Sequence, residues 1–435
     1  LRDFRLASAY QLLGRAPLPA SGLLNTRVTI AGASAKPTFH IEGSYEQGKV
    51  RTVEGITAAY VIDLAPDAVV VDAQLAVADR GSLTLSGNIL VDSETESLLQ
   101  AVWDGIFDLR LTVDQTDLSI LWDATGTPPA QGIRGHVSGN WVIAGAVFAP
   151  ELDGTFSVPD LDLDGWPSLQ VTSRLNYKDS YLVARVGAKD SFGDLAEVEG
   201  ALLVDLTHLL TETGDAIASL ESLPWRVAAK VMHRRLGDFP APLLAHVPME
   251  AHDMELGLSA TFAGGALPTR GDVIASVSWT PPLEASYRCQ EAKPFHAFVT
   301  ASLENGETNA HVQAATGDVA LIQMDLHAPT PLDEWLLAQK WPQVPPVQAH
   351  LSMPSLPLGE MPVLCAYTAG DLAVEMDLTD LFTDHTTGYL EVISESIQIE
   401  DYQPARISSR VELFDGEISG QSLVGWWSGQ QATIW

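Results

Sequence analysis

The chain has 435 residues, of which 46% are hydrophobic, so it has enough apolar material for a folded core and is not a disordered chain. Its 56 acidic residues against 24 basic ones give a formal net charge of −32. This charge repels a phosphate backbone, which excludes nucleic acid as a partner and disfavours adhesion to an anionic membrane through basic patches.

The sequence around Leu1 has no signal-peptide pattern, and no apolar run reaches the ~18 residues of a membrane span. The first residues already look like the middle of a repeat. We therefore expect an excerpt of a longer protein, with any targeting or membrane-anchoring segment missing.

A short phrase recurs along the chain: an alternating apolar run, a glycine, a short loop, a proline and another alternating run. Its three copies contain Gly32 with Pro37, Gly145 with Pro150, and Gly264 with Pro268. The glycines are 113 and 119 residues apart, which predicts an array of repeats of about 115 residues. The predicted boundaries are 1–30 for the end of a preceding repeat, 31–142, 143–261 and 262–377 for three repeats, and 378–435 for the start of another.

Most of the chain alternates between apolar and polar residues with period two. The clearest runs are 83–89, 109–113 and 254–262. Such alternation is typical of antiparallel strands with one apolar and one wet face, whereas parallel strands buried on both faces give continuous apolar runs. Tight turns are predicted at four dipeptides, Asp153-Gly154, Asp164-Gly165, Asn305-Gly306 and Asp415-Gly416.

Each repeat is predicted to hold one short helix. A capping box begins at Ser93, a second helix is expected within 206–220, and Thr330 is an N-cap before a proline. The helices are followed by Trp103, Trp225 and Trp341, which we expect to wedge helix against sheet. New strands are then predicted at 107–113, 227–233 and 347–353.

The apolar faces of these strands need a cover. A helix of some ten residues is about 15 Å long, whereas about five strands of about 8 residues make a sheet of about 27 Å along each strand. The apolar face must therefore meet a second sheet, the curl of its own sheet, or a lipid. The residues predicted to line such a face are Leu83, Leu85, Ile89, Leu109, Leu111, Val113, Met254, Leu256 and Leu258.

No catalytic or nucleotide motif is visible. The eleven histidines have no HExxH or paired-ligand spacing, and no Walker loop, GxGxxG or GxSxG occurs. Carboxylates close in sequence, such as Asp114 with Asp117 or Glu391 with Glu395 and Glu400, could be imagined as the acid and base of a glycosidase. Spacing in sequence says nothing about their separation in space, and solvated strand faces explain them better. The chain is therefore predicted not to be an enzyme, and no cofactor is expected.

Two features leave alternatives open. Asp160, Asp162 and Asp164 before Gly165 match the first half of a calcium loop, but Val171 stands where the bidentate Glu would be. Calcium is a weak alternative to a plain strand with aspartates facing water. Cys289 and Cys365 fit either one disulfide in an oxidising compartment or two buried thiols.

The segment Gly135–Gly145, followed by Pro150–Val158 and Leu161–Gly165, resembles the repeat of the AsmA-like, TamB-type bridge proteins of bacteria. This resemblance implies an elongated, curled antiparallel β-sheet with an apolar trough, anchored in the inner membrane and lying in the periplasm. It implies a conduit that passes phospholipid between inner and outer membranes, with a related role in outer-membrane protein assembly and an outer-membrane assembly protein as partner. Membrane contact is expected through segments missing from this chain.

Together the pattern and the resemblance predict a non-enzymatic phospholipid conduit whose trough is lined by the apolar residues named above. One rival is a structural or adhesive surface protein made of closed β-sandwiches. Another is a β-sheet enzyme acting on carbohydrate.

Overall fold

The computed structural model describes residues 2, 4–5, 20–33, 36–91, 105–120, 123, 133–146, 149–163, 166–205, 223–239, 244, 249–265, 269–281, 289, 292–317, 319–330, 346–381, 383–399, 405–427 and 430–434. The chain divides into two compact units, Leu1–Leu223 (unit 1) and Pro224–Trp435 (unit 2). Both are built mainly from antiparallel β-strands, which confirms the predicted class.

Unit 1 contains the first twelve strands, each paired antiparallel with the next along the chain. They are β1 (Phe4–Arg5), β2 (Ala20–Ala33), β3 (Lys36–Val50), β4 (Val53–Leu64), β5 (Ala68–Val77), β6 (Ser82–Leu90), β7 (Ile106–Asp117), β8 (His136–Ala146), β9 (Ala149–Leu163), β10 (Trp166–Lys178), β11 (Tyr181–Asp190) and β12 (Gly193–Leu203). No described pairing joins β1 to β12, so the sheet of this unit is open.

Unit 2 is a second antiparallel meander of twelve strands. They are β13 (Trp225–Arg235), β14 (Glu255–Gly264), β15 (Arg270–Trp279), β16 (Phe295–Glu304), β17 (Glu307–Thr316), β18 (Val319–Pro329), β19 (Val347–Pro357), β20 (Thr368–Leu381), β21 (Thr387–Ile399), β22 (Ala405–Phe414), β23 (Glu417–Trp427) and β24 (Gln430–Ile434). Among the described pairings none closes β24 onto β13.

Short 3-10 helices interrupt the meanders at Ala78–Arg80, Leu236–Asp238, Met249–Ala251, Leu358–Glu360 and Leu364–Ala366. The predicted strands 83–89, 107–113, 227–233 and 347–353 lie within β6, β7, β13 and β19. The three predicted helices, with Trp103 and Trp341, lie outside the described residues apart from Thr330, and Trp225 is the first residue of β13.

The recurring glycines Gly32, Gly145 and Gly264 lie at the ends of β2, β8 and β14, so they are six strands apart, compared with about five strands per repeat expected from the sequence. A backbone hydrogen bond recurs with the same spacing. The residue just after β6, β12 and β18 donates its N–H to the carbonyl oxygen of the residue just before β5, β11 and β17, respectively. The pairs are Val91 to Asp67 at 3.1 Å, Val204 to Ser180 at 2.8 Å and Thr330 to Gly306 at 2.6 Å. These two local features, the glycine and the hydrogen bond, therefore recur every six strands.

The turn predictions had mixed outcomes. Asn305-Gly306 and Asp415-Gly416 form the predicted tight turns, and all four residues have positive φ. Asp164-Gly165 lies outside the described residues. The turn at Asp153-Gly154 is wrong, because both residues lie inside β9.

Gly154 serves packing instead of a turn. It lies directly opposite Trp141 of β8, and a Cβ at Gly154 would overlap the indole ring. Because Gly154 has no side chain, the indole ring of Trp141 can lie over it on the neighbouring strand.

Three clusters of buried hydrophobic residues lie where strands begin or end. Cluster 1 in unit 2 is built around Trp279, Phe295 and the two cysteines, and two smaller clusters in unit 1 are built around Val69 and around Val53. The middles of most strands are less buried, although Val158 and Ser173 are buried within β9 and β10. This difference locates the candidate site.

Candidate functional site

The predicted lining residues of unit 1 lie on one side of its sheet. Leu83 is opposite Val113 and Leu85 is opposite Leu111. Ile89 in β6 and Leu109 in β7 are an even number of residues away from these, so they project to the same side. Directly paired residues of antiparallel strands project to the same side. We call this side the apolar face, and the opposite side of the same strands the polar face.

The apolar face extends across nearly every strand of unit 1. One row of directly paired residues runs from β2 to β12 through Val28, Ile41, Ile62, Val71, Gly87, Leu109, Ile143, Leu152, Tyr177, Leu182 and Leu202. The row contains only aliphatic residues, Gly87 and Tyr177, and no charged residue interrupts it.

Unit 2 has an equivalent apolar face. Leu256 and Leu258 alternate in β14, and the predicted residue Met254 lies just before that strand and packs against cluster 1. The row through Leu258 runs from β13 to β22 through Val231, Leu258, Ala275, Val299, Val312, Met324, Leu351, Met376, Leu390 and Val411. The predicted lining residues are thus part of apolar surfaces much larger than the list itself.

Exposure separates the two faces. In β16, Ala297, Val299 and Ala301 on the apolar face are half-buried, whereas Phe298 and Thr300 on the polar face are exposed. The residues of the row through Leu258 all keep partial exposure, and Leu258 itself is 37% exposed. A core between two packed sheets would bury such residues almost completely, so solvent or a ligand has partial access here.

One margin of unit 2 is built up into a wall, where β15 leads to β16 and β19 leads to β20. Cys289 and Cys365 form a disulfide between these two connections, which settles the question that the sequence left open. Lys293 Nζ also donates to both carboxylate oxygens of Glu360, each at 2.8 Å. Cluster 1, which contains Leu358 and Met361 from this margin, packs against the outer residues of the apolar face.

The polar faces hold cross-strand ion pairs. Arg174 Nη2 donates to Asp153 Oδ2 at 3.0 Å and lowers the pKa of that carboxyl group. Nδ1 of His136 is 2.8 Å from Asp160 Oδ2, and this hydrogen bond raises the pKa of the imidazole and lowers that of Asp160. Such pairs keep this side hydrated, as solvated strand faces require.

The calcium residues do not form a cluster in the described part of the chain. Asp160 is engaged with His136, and Asp164 lies outside the described residues. Within the described residues, no group of three or more His, Cys, Asp or Glu side chains is placed to hold a metal ion. Of the carboxylates considered for a glycosidase, Asp117 lies beside Arg80 and Glu391 lies beside Arg410.

Sequence reasoning missed a groove of about 670 Å³ on the polar face of unit 2. A ladder of alternating imidazoles and carboxylates crosses it, with His311, Asp325, His350 and Asp377 directly paired on successive strands. His311 Nδ1 is 2.8 Å from Asp325 Oδ1. These residues come from four separate strands, so only the strand register reveals that they are neighbours.

Comparisons with known proteins found no matching family model, no matching curated protein and no matching solved structure. A search of the described residues also found no helix long and apolar enough to cross a bilayer.

Proposed function

We propose that this chain is a segment of a phospholipid conduit in the periplasm of a diderm bacterium. Acyl chains lie along the apolar faces and head groups remain in water. Attachment to the inner membrane, delivery to the outer membrane and a role in outer-membrane protein assembly are proposed on the family resemblance alone.

The observation that carries the proposal is the unbroken apolar row in each unit, whose residues other than the buried Tyr177 keep partial exposure. Burying each methylene of an acyl chain is worth about 0.8 kcal/mol, so a lipid tail on this surface is strongly favoured over water. Neighbouring rows offer similar side chains. A tail therefore moves between nearly equivalent positions, and its movement is diffusive.

The disulfide supports the proposed location. Stable disulfides belong to oxidising compartments such as the periplasm and are rare in the cytosol. The bridge between Cys289 and Cys365 spans 76 residues of sequence and lies in the wall of the proposed trough. This gives the wall a covalent link in the compartment where the conduit would work.

The partial exposure of the apolar face favours an open trough over the adhesive sandwich alternative. A closed sandwich needs a facing sheet that buries both apolar surfaces. In the carbohydrate-enzyme alternative, two carboxylates must be free to act as acid and base, whereas Asp117 and Glu391 each lie beside an arginine.

The test is lipid loading of the purified chain with a matched pair of double variants. Leu85→Asp with Leu111→Asp places two carboxylates on the apolar face, while Thr84→Asp with Thr112→Asp places the same charges one residue away on the polar face. Both pairs are directly opposite each other, so the repulsion between the new charges is matched.

Native mass spectrometry should find phospholipid on the wild-type chain and on the Thr84/Thr112 variant, and at least tenfold less on the Leu85/Leu111 variant. Circular dichroism checks that both variants keep their strands. Equal loading of the two variants would rule out this face as the lipid path, and a lipid-free wild type would remove the proposal.

A further inference from the structure

Four charged side chains in unit 2 lack the ion pairing that is common on the polar faces. Arg226, Arg270, Asp272 and Glu304 are all exposed. None of them forms an ion pair or a side-chain hydrogen bond in the part of the chain that the structure describes. In contrast, Arg185 Nε donates to Glu199 Oε2 on the neighbouring strand at 2.9 Å.

The four lie together at one end of three strands. Arg226 of β13 is opposite Ala263 of β14, which in turn is opposite Arg270 of β15. The two arginines therefore start about 9.5 Å apart, two strand spacings, on the same face. Only the methyl group of Ala263 lies between them. Both guanidinium groups can therefore contact the same functional group of a ligand that lies over Ala263.

The same residues line a pocket of about 400 Å³, together with the hydroxyl-bearing residues Thr261 and Ser302. Asp272 is opposite both of these, one row inward from the arginines. Glu304 is the last residue of β16, next to Leu303, which is opposite Gly271. The pocket thus has two cations, two anions and two hydroxyl groups within a few residues.

This charge pattern selects a class of ligand. Two arginines are suited to a phosphate group, because each guanidinium can donate two parallel hydrogen bonds to its oxygens. A purely anionic ligand would also meet the repulsion of Asp272 and Glu304. A ligand that carries an ammonium group a short distance from its phosphate matches both pairs of charges.

We propose that this pocket binds a zwitterionic phosphate ester of the phosphoethanolamine type. The phosphate lies between Arg226 and Arg270, and the ammonium group lies against Asp272 and Glu304. No covalent step is involved. The source is either the head group of a membrane lipid or a soluble phosphoethanolamine ester.

The lipid source would extend the proposed conduit and rests on it. The pocket lies at strand ends, and the apolar face at the same ends carries Trp225, Phe262 and Leu303. A lipid whose tails lie on the apolar face can then place its head group around this margin. Zwitterionic lipids would be selected over anionic ones such as phosphatidylglycerol.

The pocket itself is tested by calorimetry on the full chain with two water-soluble head groups. Glycerophosphoethanolamine should bind at least about tenfold more tightly than glycerophosphoglycerol, which lacks the ammonium group. Arg226→Ala with Arg270→Ala should abolish binding of both. Arg110→Ala, which removes an exposed arginine from the polar face of unit 1, should change neither affinity.

Asp272→Asn with Glu304→Gln gives the sharper result, because it removes the anions and keeps the arginines. It should erase the preference for glycerophosphoethanolamine and leave glycerophosphoglycerol binding at least as tightly as before. Absence of binding by the wild type, an unchanged preference in this variant, or equal loss in Arg110→Ala would overturn the proposal.

Lipid analysis then identifies the source and separates this pocket from the conduit. If phosphatidylethanolamine is enriched on the wild-type chain but not on the double arginine variant, while total lipid is equal, the ligand is a lipid head group. If the soluble head group binds and the bound lipid composition is unchanged or no lipid is present, the ligand is a soluble ester. The second result supports the pocket even where the conduit fails.

Discussion

The two faces of each sheet are made from alternate residues of the same strands, yet they depend on different interactions. On the apolar face, neighbouring strands meet through aliphatic side chains such as Val299 and Val312, and a charge there has no partner. On the polar face, partners such as Arg174 and Asp153 are exposed and surrounded by water. The effect of a substitution on stability should therefore differ more between successive residues of one strand, which lie on opposite faces, than between paired residues of neighbouring strands, which share a face.

The largest expected effect is a carboxylate at the most buried part of the apolar face. Ala349 is 2% exposed and lies between Leu326 and Leu378. Ala349→Asp buries an unpaired charge and should lower the free energy of unfolding of unit 2 by about 3–5 kcal/mol. Urea denaturation followed by tryptophan fluorescence measures the change.

The matched control for this variant is its neighbour. Gln348 is exposed on the polar face, and Gln348→Asp should change the free energy of unfolding by less than about 0.5 kcal/mol. If the two substitutions had similar costs, the distinction between the faces would be lost.

The disulfide should have the next largest effect, and a local one. Cys289→Ser with Cys365→Ser removes a bridge between residues 76 apart, which should cost about 2–4 kcal/mol. Hydrogen exchange should speed up at Leu356–Ala366, next to the bridge, and stay unchanged in β6 and β7 of unit 1. Uniform acceleration across both units would show that the bridge does not act through its margin.

A smaller effect is expected at the strand glycine. Gly154→Ala pushes a methyl group into the indole ring of Trp141 and should destabilise unit 1 by about 1–3 kcal/mol. In a Trp141→Ala background the same substitution should cost much less. Equal costs in both backgrounds, measured as a double-mutant cycle, would contradict the packing role.

The strands were predictable because their signal is local: the alternation at Leu83–Ile89 or Glu255–Phe262 can be read without knowing any partner. Gly154 was misassigned because its partner Trp141 lies on another strand, and a dipeptide rule sees only its own turn propensity. The pairing of His311 with Asp325 was likewise not predictable, because it depends on the strand register. That Cys289 and Cys365 are close together is a result of the fold and is not visible in their sequence spacing. The residues predicted to line a trough could be placed on one face of the sheet from the alternation alone, but the extent of that face became clear only from the strand register.

The smallest expected effect is the pH dependence of the polar face, where His136 meets Asp160. The hydrogen bond to Asp160 raises the pKa of His136 in the folded chain. Its stabilising contribution is therefore full below the ordinary imidazole pKa near 6.5 and is lost as the pH rises through the raised value. Because both side chains are about half exposed, solvent screening keeps this contribution small, below about 1 kcal/mol.

An NMR titration of the His136 ring measures this directly. Asp160→Asn should return the imidazole pKa toward its ordinary value, while His385, whose pKa is raised by a hydrogen bond to Asp415, should keep its shift. The apolar rows contain no titratable group that ionises in this range, so lipid loading should be the same on both sides of the transition. A loading change that follows the His136 titration would mean that the two faces are coupled through the strands they share.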